Sequence, residues 1–344
     1  MASASGTPTS IDASQGPLRI DVLTLAAHRR QVWVRLLVER MLAAVPGAEV
    51  RVLDVEDAVV DLSPQAALRK PHVLVNRVSD AAAPPLAKAT LTLLAAAERT
   101  GVRVINGAKA YGTGMSKVLH HVALEGAGLA TPRSLMVRAL PPPGGLGGLR
   151  FPLLLKPNSG GFGAGIVRLE SQQELEEAVA AGSIGVGADG MALLQEYVAP
   201  AGGETFRVWV ADGAVQCAVR IWHRDPGDFG ACMSTACQVH QVQRSVHAWA
   251  VPPDIATSVV SVMAACGADC GSVEFLYPEH AALRDAAAPE PLFYDVNMMS
   301  TLPLPGGLLD QAGIWDAGMD PWMDLAAFII REAESCRQQR TGSQ

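Results

Sequence analysis

Residues Leu18 to Leu25 alternate between apolar and polar and then run apolar, the pattern of a strand buried in an open sheet. From about Val32 to Ala44 the apolar positions recur at helical spacing and stop ahead of Pro46-Gly47. Short apolar segments at 49–53, 73–78 and 102–105 read as further strands. A second helix opens on Pro84-Pro85, runs to Thr100 and stops at Gly101. This β-α-β alternation predicts a small open α/β domain over residues 17–107.

Beyond that point the pattern changes to α+β. Residues 115–128 have helical spacing with Gly126 and Gly128 at the end, and 141–148 form a Pro/Gly linker. Phe151 to Lys156 is a strand that enters a glycine-rich loop. Ser171-Gln-Gln-Glu174 writes a capping box, with Ser171 as the N-cap of another helix. Strands follow at 192–197, 206–210 and 215–221, the last two joined by an Asp212-Gly213 hairpin turn. A helix over 253–267 precedes two final strands, 271–277 and 292–297, and no internal repeat is visible.

Composition narrows the class. A chain of 344 residues with 49% apolar content is globular and long enough for two or three modest domains. No apolar run approaches the roughly 18 residues that cross a bilayer. The Ser/Thr/Ala-rich residues 1–16 read as a disordered tail rather than a secretory signal, and 336–344 as a flexible tail. A net charge of −7 argues against a nucleic-acid or anionic-membrane surface. Six cysteines without a signal peptide read as reduced thiols of a cytoplasmic protein, and the Cys232/Cys237/His240 and Cys266/Cys270 spacings do not match compact zinc sites. Only five of the 27 basic residues are lysine, with none after Lys156. A lysine kept where arginine is the habit suits a compact charge for phosphate, although for any single lysine an accident of the surface is the readier explanation.

The last two strands carry the most chemistry. Asp295 and Asn297 share a face because the strand period is two, and Glu274 joins them if its strand pairs in register. Two carboxylates and an amide oxygen are hard ligands suited to Mg²⁺, and Mn²⁺ would take the same donors. Lys156 leads into Pro-Asn-Ser-Gly160-Gly161-Phe-Gly163-Ala-Gly165, a loop whose backbone N–H groups could approach phosphate; a plain glycine-rich hairpin is the alternative. The strand end Gln195-Glu196-Tyr197-Val198 could carry an adenine ring, with Glu204 or Thr205 accepting from a ribose hydroxyl. Arg207, Arg220 and Arg224 lie on or just after the next hairpin. Arg220, directed inward, would stabilise charge developing on a transferring group. Arg77 ends a first-domain strand, at the sheet edge where α/β ligands bind, and is expected to meet a substrate carboxylate.

Taken in order, strand-end lysine, glycine loop, Gln-Glu-Tyr-Val hinge, arginine hairpin and Glu…Asp-x-Asn strands resemble the ATP-grasp superfamily, and within it the RimK-like carboxylate–amine ligases. The resemblance runs from about Asn106 to Leu302. It implies a pre-ATP-grasp α/β domain at 17–107, an ATP-grasp domain at 108–335 and a lid at about 133–197. It matches Lys117, in Gly114-Met-Ser-Lys, to the first nucleotide lysine, and Gly227-Asp228-Phe229 to a loop after the arginine hairpin. Ser116 stands where the family usually has an acid, Cys232 where asparagine is common, and Met298-Met299 in place of the familiar Asn-x-x-Pro-Gly ending. The implied activity is ATP- and Mg²⁺-dependent joining of a carboxylate to an amine, from amino-acid or peptide substrates, through an acyl phosphate. ATP would be held by Lys117, Lys156, the glycines and the hinge, with Arg220 and Lys156 as catalytic groups and Arg77, Arg207 and Arg224 on the substrate side. Two other readings stay open: a phosphotransferase similar to the inositol-phosphate kinases, and a nucleotide-binding module without turnover. A homo-oligomer is expected on general frequency alone.

Overall fold

The first sheet is parallel throughout, in the order β2-β1-β3-β4, built from Arg19–Thr24 (β1), Glu49–Asp54 (β2), Val73–Asn76 (β3) and Arg103–Ile105 (β4). Helices Val32–Ala44 (α1) and Pro84–Arg99 (α2) make the crossovers, and α2 opens on the expected proline pair. The computed structural model describes residues 16–58, 70–141, 144–161, 163–223, 244–279, 290–306, 313 and 318–342. β1 and β3 are buried on both faces, which accounts for their near-continuous apolar runs.

The helix expected over 115–128 is found at Lys117–Gly126 (α4), and a separate short helix that was not expected, Ala108–Gly114 (α3), precedes it. Ser116 breaks them: its backbone is extended, and its hydroxyl caps α4 by accepting from the Leu119 N–H at 3.2 Å. A four-stranded antiparallel sheet follows, in the order β5-β8-β6-β7, from Ser134–Val137 (β5), Leu153–Pro157 (β6), Val167–Leu169 (β7) and Ala192–Glu196 (β8). Helix Gln172–Ala180 (α5) packs on one face, where Leu153, Leu155, Ala192 and Leu194 meet Leu175. Leu154, Lys156, Leu193 and Gln195 therefore project from the other face. Ser171 caps α5 by accepting from the Glu174 N–H, as its capping box predicts.

The third sheet is antiparallel, in the order β11-β10-β9-β12-β13: Pro200–Ala211 (β9), Ala214–His223 (β10), Arg244–Ala248 (β11), Cys270–Pro278 (β12) and Leu292–Asn297 (β13). Asp212 and Gly213 take positive φ at the hairpin turn. β9 starts six residues earlier than its apolar pattern, because pairing with β12 extends it to Pro200. Helix Pro253–Ala265 (α6) covers one face, packing with Phe206, Val208, Val273, Phe275 and Phe293. The other face places Trp209, Val219 and Ile221 in a core shared with the first domain and helix Pro321–Gly342 (α7).

Residues 336–342, expected as a flexible tail, are the last two turns of α7. Arg340 donates to the carbonyls of Lys70, Pro71 and Gly101, tying the helix to the first domain. Asn106 joins the domains at a second point. Its amide donates to the Cys270 and Met298 carbonyls at 2.8 and 2.7 Å, and its oxygen accepts from the Asp269 and Cys270 N–H groups. Its φ of 53° is the left-handed conformation that asparagine tolerates. Asn106 and α7 thus fasten the first domain to the third sheet.

Candidate active site

Lys117 and Lys156 reach one cleft from different elements. Lys156 projects from β6, 7% exposed, and its ammonium donates to Gln195 Oε1 at 2.6 Å on the neighbouring strand. Gln195 in turn donates to Ser134 Oγ at 2.9 Å. Lys117, at the start of α4, donates to the Gly160 carbonyl at 2.7 Å, so the glycine loop lies across the N-terminus of that helix. Burial lowers Lys156 to about 8; Asp295 opposes the shift, Lys117 adds to it and Glu274 opposes it. Those are the interactions of groups facing a common space.

The loop is held from beneath by Asn158, which is buried. Its side-chain oxygen accepts from Ser116 Oγ at 2.9 Å and from the Val118 N–H at 3.0 Å, while its amide donates to Asp189 at 2.6 Å. Ser116, where the resembled family carries an acid, thus both caps α4 and ties it to the lid. Gly160 and Gly163 take positive φ. At Gly161 a Cβ would stand 3.3 Å from Ala81, so the loop comes down on the first domain there.

Across the cleft, Glu274 and Asp295 stand opposite one another on β12 and β13. Asn297 Nδ2 donates to Glu274 Oε1 at 2.9 Å and to Asp295 Oδ2 at 3.4 Å. The three side chains expected to share a cation are therefore brought together. The Asn297 amide reaches both carboxylates through its nitrogen, and turning the amide over would bring its oxygen to the same point, so two carboxylates and an amide oxygen fit Mg²⁺. Burial alone would raise Asp295, but the hydrogen bond and charge of His120 and the two lysine charges hold it well below the usual carboxylate range. Burial pushes Glu274 upward against the charge of Arg207.

The arginines fall differently from expectation. Arg207 lies directly across from Glu274 on the paired strand and forms an ion pair with it in the interior. Arg220 is opposite Phe206, on the face covered by α6, exposed and 3.4 Å from Glu204. The expectation that Arg220 points inward is not met, because a bulge between Val215 and Cys217 shifts the alternation by one. Arg77, expected to meet substrate, is only 4% exposed. It lies 5.0 Å from the Trp33 ring centroid, with both terminal nitrogens 3.4 Å from the Ser300 carbonyl, so it is closed into the interface between domains rather than presented to the cleft. Arg224, Gly227-Asp228-Phe229, Cys232, Cys237 and His240 lie outside the described residues.

The hinge residues line the lid's edge. Glu196 accepts from the Arg150 N–H at 2.9 Å, and the Tyr197 ring stacks under Arg168 at 4.1 Å. Val198 follows in the connection to β9. Glu204 shares the Phe206 face, whereas Thr205 faces the cleft beside Arg207 and meets His223 Nε2 at 2.7 Å.

Sequence reasoning missed three cleft residues. The His120 ring meets Asp295 Oδ1 through Nδ1 at 2.7 Å and the Gly114 carbonyl through Nε2 at 3.1 Å. Tyr294 is the extra residue of a bulge in β13, 5.5 Å from the Lys156 ammonium; burial and then Glu274 and Asp295 raise its phenol well above the ordinary value. Asp80, in the turn after β3, is raised by burial and by Asp295, with His120 and Lys117 opposing. A basic or aromatic residue one helical turn from Lys117, or beside Asp295, was the available signal.

Comparison with known proteins supplies the deciding observation: residues 145–269 match the model of the RimK-like ATP-grasp domain. The fold is ATP-grasp. Among solved structures, the ATP-grasp ligase PsnB, in complex with a phosphomimetic variant of its minimal precursor, Mg and ADP, superposes with a TM-score of 0.62 at 19% identity, covering 92% of this chain and 99% of that one. D-alanine–D-alanine ligase from Bacillus anthracis, complexed with ATP, gives 0.61 at 16% identity over 94% and 99%. The RimK domain protein ATP-grasp from Sphaerobacter thermophilus gives 0.59 at 18% identity over 90% and 98%. No curated protein sequence matches the chain significantly. The described residues contain no helix long and apolar enough to cross a membrane. The cleft described above lies between the sheet β5 to β8 and the sheet β9 to β13.

Proposed function

We propose that this ATP-grasp protein joins a carboxylate to an amine, using ATP and Mg²⁺ and releasing ADP and phosphate. The observation that carries the reading is the convergence of Lys117 and Lys156 on Asp295, opposite Glu274 and beside Asn297, under a glycine loop. Leu154 and Leu193, buried on the sheet face that carries Lys156, and Tyr294 near its ammonium are the apolar groups for a purine to pack against, with the strand end at Glu196 to Val198 along its edge. Lys117 and Lys156 then grip the phosphates, and Glu274, Asp295 and Asn297 hold the cation. Mg²⁺ bound there neutralises charge on the transferring phosphoryl group.

The substrate carboxylate attacks the γ-phosphate to give an acyl phosphate, and the amine displaces phosphate to form the amide. Arg207, buried and facing the cleft, takes the charge-stabilising part expected of Arg220. The loop at 160–165 excludes water from the acyl phosphate. Amino acids and peptides are both candidate substrates; PsnB has been solved with a precursor peptide and AMPPNP.

The test is incubation of the purified protein with Mg²⁺-ATP and hydroxylamine against pools of amino acids, peptides and small carboxylates. Hydroxamate together with ADP is expected. A phosphorylated acceptor without hydroxamate would mean a kinase, and AMP with pyrophosphate would contradict the acyl-phosphate route.

A further inference from the structure

Asp295 uses its two oxygens differently. Oδ1 accepts from His120 Nδ1 at 2.7 Å and from the Val296 N–H at 3.2 Å, whereas Oδ2 is approached by the Asn297 amide at 3.4 Å. One oxygen is anchored and the other is left toward Glu274 and the lysines. The anchor is itself fixed: His120 is only 3% exposed, and its second ring nitrogen lies 3.1 Å from the Gly114 carbonyl. A ring held at both nitrogens cannot rotate without breaking a bond in the interior.

His120 also lies one helical turn after Lys117 on α4, the helix whose first turn is bonded to the lid through Asn158. The phosphate lysine and the anchor of the cation ligand therefore ride on one short rigid element. The neighbouring His121 pairs instead with Glu125, four residues on, and feels the charge of Lys156.

We propose that His120 is a positioning residue for the cation: it fixes the rotamer of Asp295 so that Oδ2, Glu274 and Asn297 address one point. This rests on the ATP-grasp cleft binding nucleotide and divalent metal as proposed above. A carboxylate free to turn about χ1 and χ2 would lose entropy on ligating, and ligand-orienting partners of this kind are worth roughly 10–100-fold in metal affinity.

Mn²⁺ binding in the presence of ADP, read by electron paramagnetic resonance without any turnover, tests the idea. An asparagine side chain places its N–H near the Nδ1 position of histidine, and glutamine places its own near Nε2. His120→Asn is therefore expected to keep most of the Mn²⁺ affinity, while His120→Gln and His120→Leu lose roughly 10–100-fold. Metal-free ADP binding, which depends on Lys117 and Lys156, is expected to stay at the wild-type level in all three. Equal Mn²⁺ affinity in the Asn and Leu variants would overturn the proposal. So would a loss of metal-free ADP binding in proportion to the loss of Mn²⁺, which would mean that His120 merely holds α4 together. Failure of the wild-type protein to bind Mn²⁺ with ADP would instead sink the reading of the cleft itself.

Discussion

Arg207 and Glu274 stand directly across from one another on β9 and β12 and form an ion pair in the interior, 8% and 4% exposed respectively. Such a pair holds its two charges in place more than it stabilises the fold, because desolvation offsets most of the Coulomb gain. Removing one partner strands the other. Arg207→Met is expected to cost about 3–5 kcal/mol in urea unfolding, and Arg207→Met combined with Glu274→Met distinctly less than the sum of the single variants. Strictly additive losses would show that the two charges are not coupled.

Lys156 gives a pH signature. Its value in the folded protein, about 8, lies below the ordinary 10.5, burial being the main cause. Below the folded value both states carry the proton and the burial penalty is present in full. Between the two values the unfolded chain holds more protons, so stability rises with pH through that window. Over the same window the cleft loses a positive charge. Metal-free ADP binding is expected to weaken as pH rises through about 8 and onward, and Lys156→Arg, which keeps its charge, to remove that decline. Calorimetric titration across the range decides it; parallel profiles for the two proteins would exclude Lys156 as the titrating group.

Asn158 links lid and helix. Asn158→Ala leaves Ser116, Asp189 and the Val118 N–H without their partner, at about 1–3 kcal/mol for each group that stays buried. Amide exchange should quicken at Val118 while Lys117, whose N–H donates to the Asn158 backbone carbonyl, keeps more of its protection. The apparent KM for ATP should rise more than kcat falls. Unchanged exchange at Val118 would mean that the lid does not hang on this residue.

Arg220, exposed at the edge of the α6-covered face, is the contrasting case. Its ion pair with Glu204 at 3.4 Å is of the surface kind, worth up to about 1 kcal/mol. Arg220→Ala is expected to leave stability within about 0.5 kcal/mol and metal-free ADP affinity at the wild-type level. A large fall in ADP binding would show that this side chain reaches the phosphates after all.

Much of the fold follows from local pattern. The parallel β-α-β run, the Ser171 cap and the Asp212-Gly213 turn stand where hydrophobic period and turn chemistry put them, because each depends on neighbours within a few residues. The C-terminal helix α7 was not expected, and its last turns were read as a flexible tail, because their partners, the carbonyls of Lys70, Pro71 and Gly101, are far away in the chain.

The amino-acid order alone determined which chemical groups were available and that Asp295 and Asn297 would share a face, since a strand's period is two. Tertiary pairing decided the rest. The bulge between Val215 and Cys217 turned Arg220 away, pairing with β12 set Arg207 across from Glu274, and the bulge in β13 brought Tyr294 to Lys156. His120 met Asp295 only because α4 packs against β13. One extra residue in one strand reverses every side chain beyond it, and nothing local in either strand records that an insertion has occurred.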